Sequence, residues 1–152
     1  MAKRGWVYLT VESPRLALVD FEASVKLNPA DGDAYNGRGT ARAMLGDHAA
    51  AVADAREAVR RSGASARVKY NAARIYAVAA SVAAAELGAN GRQARQLSLK
   101  YQDIALQLIR EEFAREAPEK RAAFWRETVL GDPALKAIRR RLNFDDLIVT
   151  KK

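Results

Sequence analysis

Four side chains near the middle of the chain, Arg67, Tyr70, Asn71 and Arg74, have types and a spacing that suit an acidic ligand. The two arginines are seven residues apart, about two helical turns, so a helix would place both on one face with the other two between them. Arginine pairs bidentately with carboxylates, and a tyrosine ring packs on apolar groups. The pattern predicts recognition of an acidic group beside an apolar anchor.

An intramolecular alternative uses the same two arginines. Either Arg67 or Arg74 could pair with an acid of the preceding segment, such as Asp54 or Glu57, and only tie neighbouring helices together. Asp33 is then the main acid near the predicted ligand site. The sequence favours neither alternative.

Residue patterns of catalytic and metal sites are absent or weak. The single histidine, His48, has no cysteine or second histidine to share a metal, and no phosphate-binding glycine loop or kinase signature occurs. The acid pairs Glu111-Glu112 and Asp145-Asp146 are each adjacent in sequence. On a helix Glu111 and Glu112 diverge, so we expect them to be solvated charges, whereas Asp145-Asp146 could begin or cap a final turn. The sequence therefore predicts no enzyme, no metal and no cofactor.

Composition indicates one globular, helical domain. Of 152 residues, 49% are hydrophobic and 29% are charged, and alanine is abundant. There is no cysteine, no signal-peptide pattern follows Met1, and the longest apolar run, 75–85, is too short to cross a bilayer. These features predict a cytoplasmic protein. The net charge of +8 is spread along the chain, so nucleic-acid binding is a weaker expectation.

The chain is similar to itself when it is shifted by 34 residues, a period typical of stacked helical hairpins. Residues of the same or similar type then coincide, and the pairs are Arg4 with Arg38, Gly5 with Gly39, Ala17 with Ala51, Ser24 with Ala58, and Val25 with Val59. Two shifts bring Tyr8 onto Tyr76. Small residues at these positions would let helices approach closely.

Three segments, 16–29, 35–41 and 70–76, resemble the tetratricopeptide repeat (TPR) in the order of their small and aromatic residues and in the closing Pro29. The resemblance implies an all-α fold of antiparallel helix-turn-helix repeats, stacked as a right-handed α-α superhelix. It implies units of about 1–31, 32–65 and 66–117. The third unit is elongated, because 29 residues separate Tyr76 from Ala105.

Residues 118–152 do not repeat. They resemble the closing segment of long bacterial, planctomycete-type repeat proteins that are often fused to serine/threonine kinases. We expect this segment to cap the last unit, since a repeat array needs a polar-faced terminal element. The expected apolar contacts come from Phe124, Trp125, Leu135, Ile138, Leu142 and Phe144.

Caps, prolines and glycines predict the helix bounds. The expected helices are 1–11, 14–28, 32–45, 48–62, 66–87, 92–117 and 119–130, with a short one near 133–141. Ala51 and Ala58 should be buried between helices, and no strand is expected.

The resemblance also implies a concave groove lined by the first helix of each unit. The strongest partner-binding candidates it gives are Trp6, Asn36, Thr40, Arg67, Tyr70, Asn71 and Arg74, and Ala43, Met44 and Val78 lie on the same faces. Trp6 could instead cap the open end, and Tyr70 could be a packing residue. Of the carboxylate clamp by which some family members bind chaperone tails, only Arg67 is present.

The expected function is that of a protein–protein interaction scaffold that binds a peptide or protein in this groove, with an acidic partner as one alternative. One alternative is self-assembly as a homo-oligomer through the open first helix, which carries Val7 and Leu9. Another is a regulatory part of a larger protein kinase.

Overall fold

The computed structural model describes residues 1–63, 65–86 and 91–141, and all regular structure in these ranges is helical, with no strand. The α-helices are α1 (Ala2–Thr10), α2 (Pro14–Leu27), α3 (Gly32–Met44), α4 (His48–Ser62), α5 (Ala66–Ala85), α6 (Gly91–Arg115) and α7 (Pro118–Ala123). A π-helical turn (Phe124–Val129) and two short 3-10 helices (Pro133–Ala137 and Arg139–Arg141) follow. We call residues 118–141 the tail.

The predicted bounds of the first six helices agree with the structure to within about two residues. The predicted helices 119–130 and 133–141 are wrong in detail, because each is divided into shorter pieces of different helical type. The predicted turn at 88–91 falls largely outside the described residues.

Local chemistry explains where the helices begin. The Asp31 carboxylate accepts the backbone N–H of Asp33 (2.9 Å) at the start of α3, and Asp47 accepts that of Ala50 (3.0 Å) at the start of α4. Pro14 and Pro118 occupy first-turn positions in their helices, where the missing N–H costs nothing.

Consecutive helices pack as hairpins, α1 with α2, α3 with α4, and α5 with α6. The first helices of the hairpins also contact one another, α1 with α3 and α3 with α5, and they form a continuous row. This row carries all of the predicted partner-binding residues.

Phe21 joins the first two hairpins. Its ring is fully buried between Gly5 of α1 and Gly37 of α3, and Trp6 packs edge-on against it with ring centroids 5.2 Å apart. A Cβ atom added at Gly37 would overlap the Phe21 ring, and one added at Gly5 would come within 2.9 Å of it. Glycine at both positions is therefore what admits the aromatic ring.

The same arginine–aspartate ion pair occurs in the first and the second hairpin. Arg4 contacts Asp20 through two hydrogen bonds of 2.7 Å, and Arg38 contacts Asp54 through bonds of 3.0 and 2.6 Å, each pair spanning 16 residues. The hydrogen bonds from Arg4 hold the pKa of Asp20 below its usual range. The 34-residue similarity of the sequence thus corresponds to a repeated contact.

The core supports the predicted helix register. Ala51 and Ala58 are fully buried, as predicted, and Ala51 belongs to the largest apolar cluster, which joins α3 through α6 and the tail. Alanine at these positions leaves room for the close approach of neighbouring helices.

The tail packs on the third hairpin. Trp125, Val129, Leu135 and Ile138 are buried in the same cluster, and Phe124 packs against it. The first of the two 3-10 helices, Pro133–Ala137, packs on α5. The predicted tail contacts are present for the residues described, while Leu142 and Phe144 lie outside them.

Candidate binding site

The seven candidate residues lie on three helices of the row. Trp6 is on α1, Asn36 and Thr40 are on α3, and Arg67, Tyr70, Asn71 and Arg74 are on α5. The structure brings the α3 and α5 members together, because these two helices are in contact.

Arg67 is paired within the chain. Its Nη1 donates to Asp33 Oδ1 at 2.7 Å, and the two residues are 34 apart, at equivalent positions of adjacent hairpins. The proposed pairing of Arg67 or Arg74 with Asp54 or Glu57 is wrong, because those two acids bind arginines of their own hairpin. The shared period could have indicated the Asp33 contact.

Tyr70 and Arg74 meet an acid of the tail that sequence reasoning missed, Asp132. The Tyr70 hydroxyl lies 2.9 Å from Asp132 Oδ2 and 2.9 Å from the Thr128 carbonyl, so it can donate to either. Arg74 Nε lies 2.9 Å from the same Oδ2, but its N–H does not point at the oxygen, so the contact is ionic without a hydrogen bond.

Asp132 is held by its own segment as well, since its Oδ1 accepts the backbone N–H of Ala134 at 2.9 Å. Burial and the bond to Asp132 raise the pKa of Tyr70. A carboxylate therefore occupies the position beside Tyr70 and Arg74 where the sequence predicted that of a ligand. The tail does not repeat, so the 34-residue period could not predict which of its residues contacts Tyr70.

The α3 candidates hold the row together. Asn36 is fully buried, and its Nδ2 donates to the Val68 carbonyl of α5 at 2.9 Å. Thr40 Oγ1 donates to the Asn36 carbonyl at 2.9 Å. Asn71 is half-buried and makes no side-chain hydrogen bond within the described ranges.

Three buried polar atoms have no hydrogen-bond partner among the described residues, and all three belong to predicted site residues. They are Trp6 Nε1, Asn36 Oδ1 and Arg74 Nε. Buried polar groups are nearly always hydrogen-bonded, so each exception requires an explanation such as a bound water or a ligand. These exceptions lie along the row.

A shallow pocket of about 50 Å³ opens between α3, α5 and the tail. We call it the α3–α5 pocket, and its lining consists of Thr40, Ala43, Met44, Arg74, Ile75, Val78 and Ala134. Small-molecule and cofactor sites usually have about 300–1,000 Å³. The α3–α5 pocket is far smaller, so it can receive at most one side chain of a partner that lies across the surface.

Polar and apolar groups are both available at this pocket. The Arg74 side chain is 40% exposed, and its two Nη atoms make no hydrogen bond within the described part of the chain. Met44 is 44% exposed, and Val78 is half-buried beside it. One cation thus lies next to an aliphatic surface.

No family model matches the chain. No curated protein and no solved structure matches it either. The chemistry of the pocket therefore has to follow from its own residues.

The acid pair Glu111-Glu112 makes ion pairs within the chain. Glu112, expected to be solvated, is buried 3.2 Å from Arg115, and Glu111 contacts Lys69 at 3.2 Å. The helical spacing from Ile109 could have indicated the burial of Glu112. Among the described residues no group of acids, histidines or cysteines could hold a metal, and no helix is long and apolar enough to cross a membrane.

Proposed function

We propose that this chain is a scaffold of the tetratricopeptide-repeat type that binds a protein or peptide partner at the α3–α5 pocket. Two features with the 34-residue period support the repeat assignment: the Arg4–Asp20 and Arg38–Asp54 ion pairs, and the left-handed turn residues Glu12 and Gly46. In this proposal the hairpins form a right-handed superhelix, and the tail covers the third.

The observation that carries the binding proposal is the pairing of a partly exposed arginine with an open aliphatic surface. The two Nη atoms of Arg74, which make no hydrogen bond to the described residues, lie at the edge of a pocket lined by Met44 and Val78. A partner segment with one carboxylate next to one aliphatic side chain would satisfy both. Asp132 is an intramolecular example of the carboxylate half of this recognition.

Acids of the chain itself compensate part of the positive charge of the site. Asp33 compensates Arg67, and Asp132 compensates one side of Arg74. The aliphatic contact should therefore contribute most of the affinity, and Arg74 should contribute selectivity for acidic segments.

The proposal is tested by selecting peptides from a random displayed library against the whole chain, followed by titration calorimetry of the selected sequences. We expect enrichment of sequences with an acid within two or three residues of Leu, Ile or Met. Met44→Glu should abolish binding, and Arg74→Gln should weaken it about 10- to 100-fold, the usual worth of a charged hydrogen bond.

The matched controls are Leu27→Glu and Arg110→Gln. Leu27 is an exposed residue of α2 and Arg110 an exposed residue of α6, and neither residue lines the pocket. Both controls should bind like the wild type. Equal losses in Arg110→Gln and Arg74→Gln would show that binding follows net charge alone, and the pocket proposal would then be rejected.

A further inference from the structure

One segment of the tail forms a wall of the α3–α5 pocket. This segment, residues 131–141, packs on α5, where Ala134 lines the pocket and Leu135 is fully buried. It follows the π-helical turn that carries Trp125 and Val129, which are buried in the same apolar cluster. We call residues 131–141 the wall segment.

The carboxylate of Asp132, near the start of the wall segment, lies beside Tyr70 and Arg74. Its Oδ2 can accept the Tyr70 hydroxyl at 2.9 Å, and its Oδ1 accepts the backbone N–H of Ala134 at 2.9 Å. The Asp132 side chain is only 9% exposed. Each carboxylate oxygen therefore has a hydrogen-bond donor other than Arg74.

This arrangement leaves Arg74 with unused donors. Its Nε is buried 2.9 Å from Asp132 Oδ2, but the N–H bond points elsewhere and has no acceptor among the described residues. Arginine frequently binds a carboxylate through two parallel N–H bonds, and a buried donor without an acceptor costs free energy. The wall segment thus compensates the charge of Arg74 without supplying those hydrogen bonds. A partner's carboxylate in the place of Asp132 could supply them.

The wall segment has the chemistry of the partner proposed above. Asp132 supplies one carboxylate, and Leu135, three residues later, supplies one aliphatic side chain, both in a segment that packs on α5. Two carboxylates held close to one guanidinium repel each other, and partial burial strengthens this repulsion. An acidic partner and Asp132 therefore compete for Arg74.

Packing, rather than regular helical structure, holds the wall segment in place. Its 3-10 helices have five and three residues, and helices of that length are not stable without tertiary contacts. Leu135 and Ile138 are fully buried, and Arg139 donates to the Asp132 carbonyl at 3.0 Å. The wall segment can therefore undock as a unit when these few contacts are broken.

We propose that the wall segment is an autoinhibitory contact, which holds Asp132 where the carboxylate of a partner would bind. The inference rests on the proposed function, because it concerns the same pocket. Removing the charge of Asp132, or undocking the segment, should then raise the affinity for an acidic partner. If Asp132 instead positioned Arg74 for the partner, its removal would lower the affinity, so the sign of the change separates the two roles.

The first test measures the binding of two fluorescent peptides to the whole chain by anisotropy. The acidic peptide has the sequence of residues 130–138, and the neutral peptide has the same sequence with Asn in place of Asp132. The Asp132→Asn chain should bind the acidic peptide about tenfold more tightly than the wild type does, because one like-charge contact is lost. The neutral peptide should gain no affinity.

The matched control is Glu127→Gln, which removes the same charge from another part of the tail. Glu127 is exposed and makes no ion pair within the described part of the chain. This variant should bind both peptides like the wild type.

A second variant follows the undocking itself. Leu135→Ala weakens the anchor of the wall segment, so the backbone amides of Ala134 and Ile138 should exchange with solvent faster, and the acidic peptide should bind more tightly. Circular dichroism should show that α1 to α6 are retained in every variant.

Two results would overturn the inference: an Asp132→Asn chain that binds the acidic peptide no more tightly than the wild type, or an equal gain in Glu127→Gln. The library-selected peptides separate this failure from that of the proposed function. Peptides that lose binding in Met44→Glu, yet bind the wild type and Asp132→Asn equally, would reject the autoinhibitory contact and leave the pocket proposal intact.

Discussion

Gly37→Ala should destabilise the chain although alanine is the better helix former. In the interior of a helix the exchange alone would gain about 0.5–1 kcal/mol. At this position the added methyl group overlaps the ring of Phe21, which is fully buried and lies against Gly5 on its other side. Overpacking of this kind costs typically about 1–3 kcal/mol. Because the overlap is severe, we expect a net loss near 2 kcal/mol.

A loss of that size lowers the melting temperature by roughly 4–8 °C for a chain of this length. Urea denaturation followed by circular dichroism should show a lower midpoint with an unchanged slope. Gly91→Ala is the control, because an added Cβ atom there has no neighbour within 4 Å. It should be neutral or slightly stabilising. Gly5→Ala should lie between the two.

A double-mutant cycle isolates the cause. Phe21→Leu removes the part of the ring that the new methyl group meets, so Gly37→Ala should cost clearly less in that background. A Gly37→Ala variant as stable as the wild type, or two substitutions that are simply additive, would refute the close contact between the first two hairpins.

Three further changes should follow from the same packing. Ala51→Leu should overpack a fully buried position and cost about 1–3 kcal/mol in urea denaturation. Tyr70→Phe removes the hydroxyl bonded to Asp132 and should lower the thermal midpoint by the equivalent of about 1–2 kcal/mol. The pKa of Asp20 is lower in the folded chain than in the unfolded chain, so its carboxylate stabilises the folded state above the unfolded pKa of about 4. This stabilisation is lost as the pH falls through the folded pKa. Asp20→Asn should therefore flatten the acid limb of a plot of the urea midpoint against pH.

Most of the helix bounds could be predicted because their signals are local. Asp31, Gly46, Asp47 and Pro118 fix a start or an end through a hydrogen bond or a backbone angle that involves only neighbouring residues. The burial of Ala51 could be predicted from the period, because repetition carries a position in one hairpin onto the next.

The contacts between the candidate site and the tail could not be predicted from the repeat period. Tyr70 and Asp132 are 62 residues apart, and the tail has no repeat counterpart from which their contact could be inferred. Arg67 and Asp33 are one period apart, so that ion pair was accessible to the same reasoning that found the repeat. The 3-10 helix Pro133–Ala137 packs on α5, a contact that the 34-residue period does not cover.

The central claim is that a partner binds between α3 and α5. Its most direct test is an amide NMR titration of the labelled chain with a peptide selected against it. The amides of Thr40, Met44, Arg74 and Val78 should shift first and saturate together, with little change on the exposed face of α6. Shifts confined to α2 or α6, or saturation that is unchanged in Met44→Glu, would contradict the account.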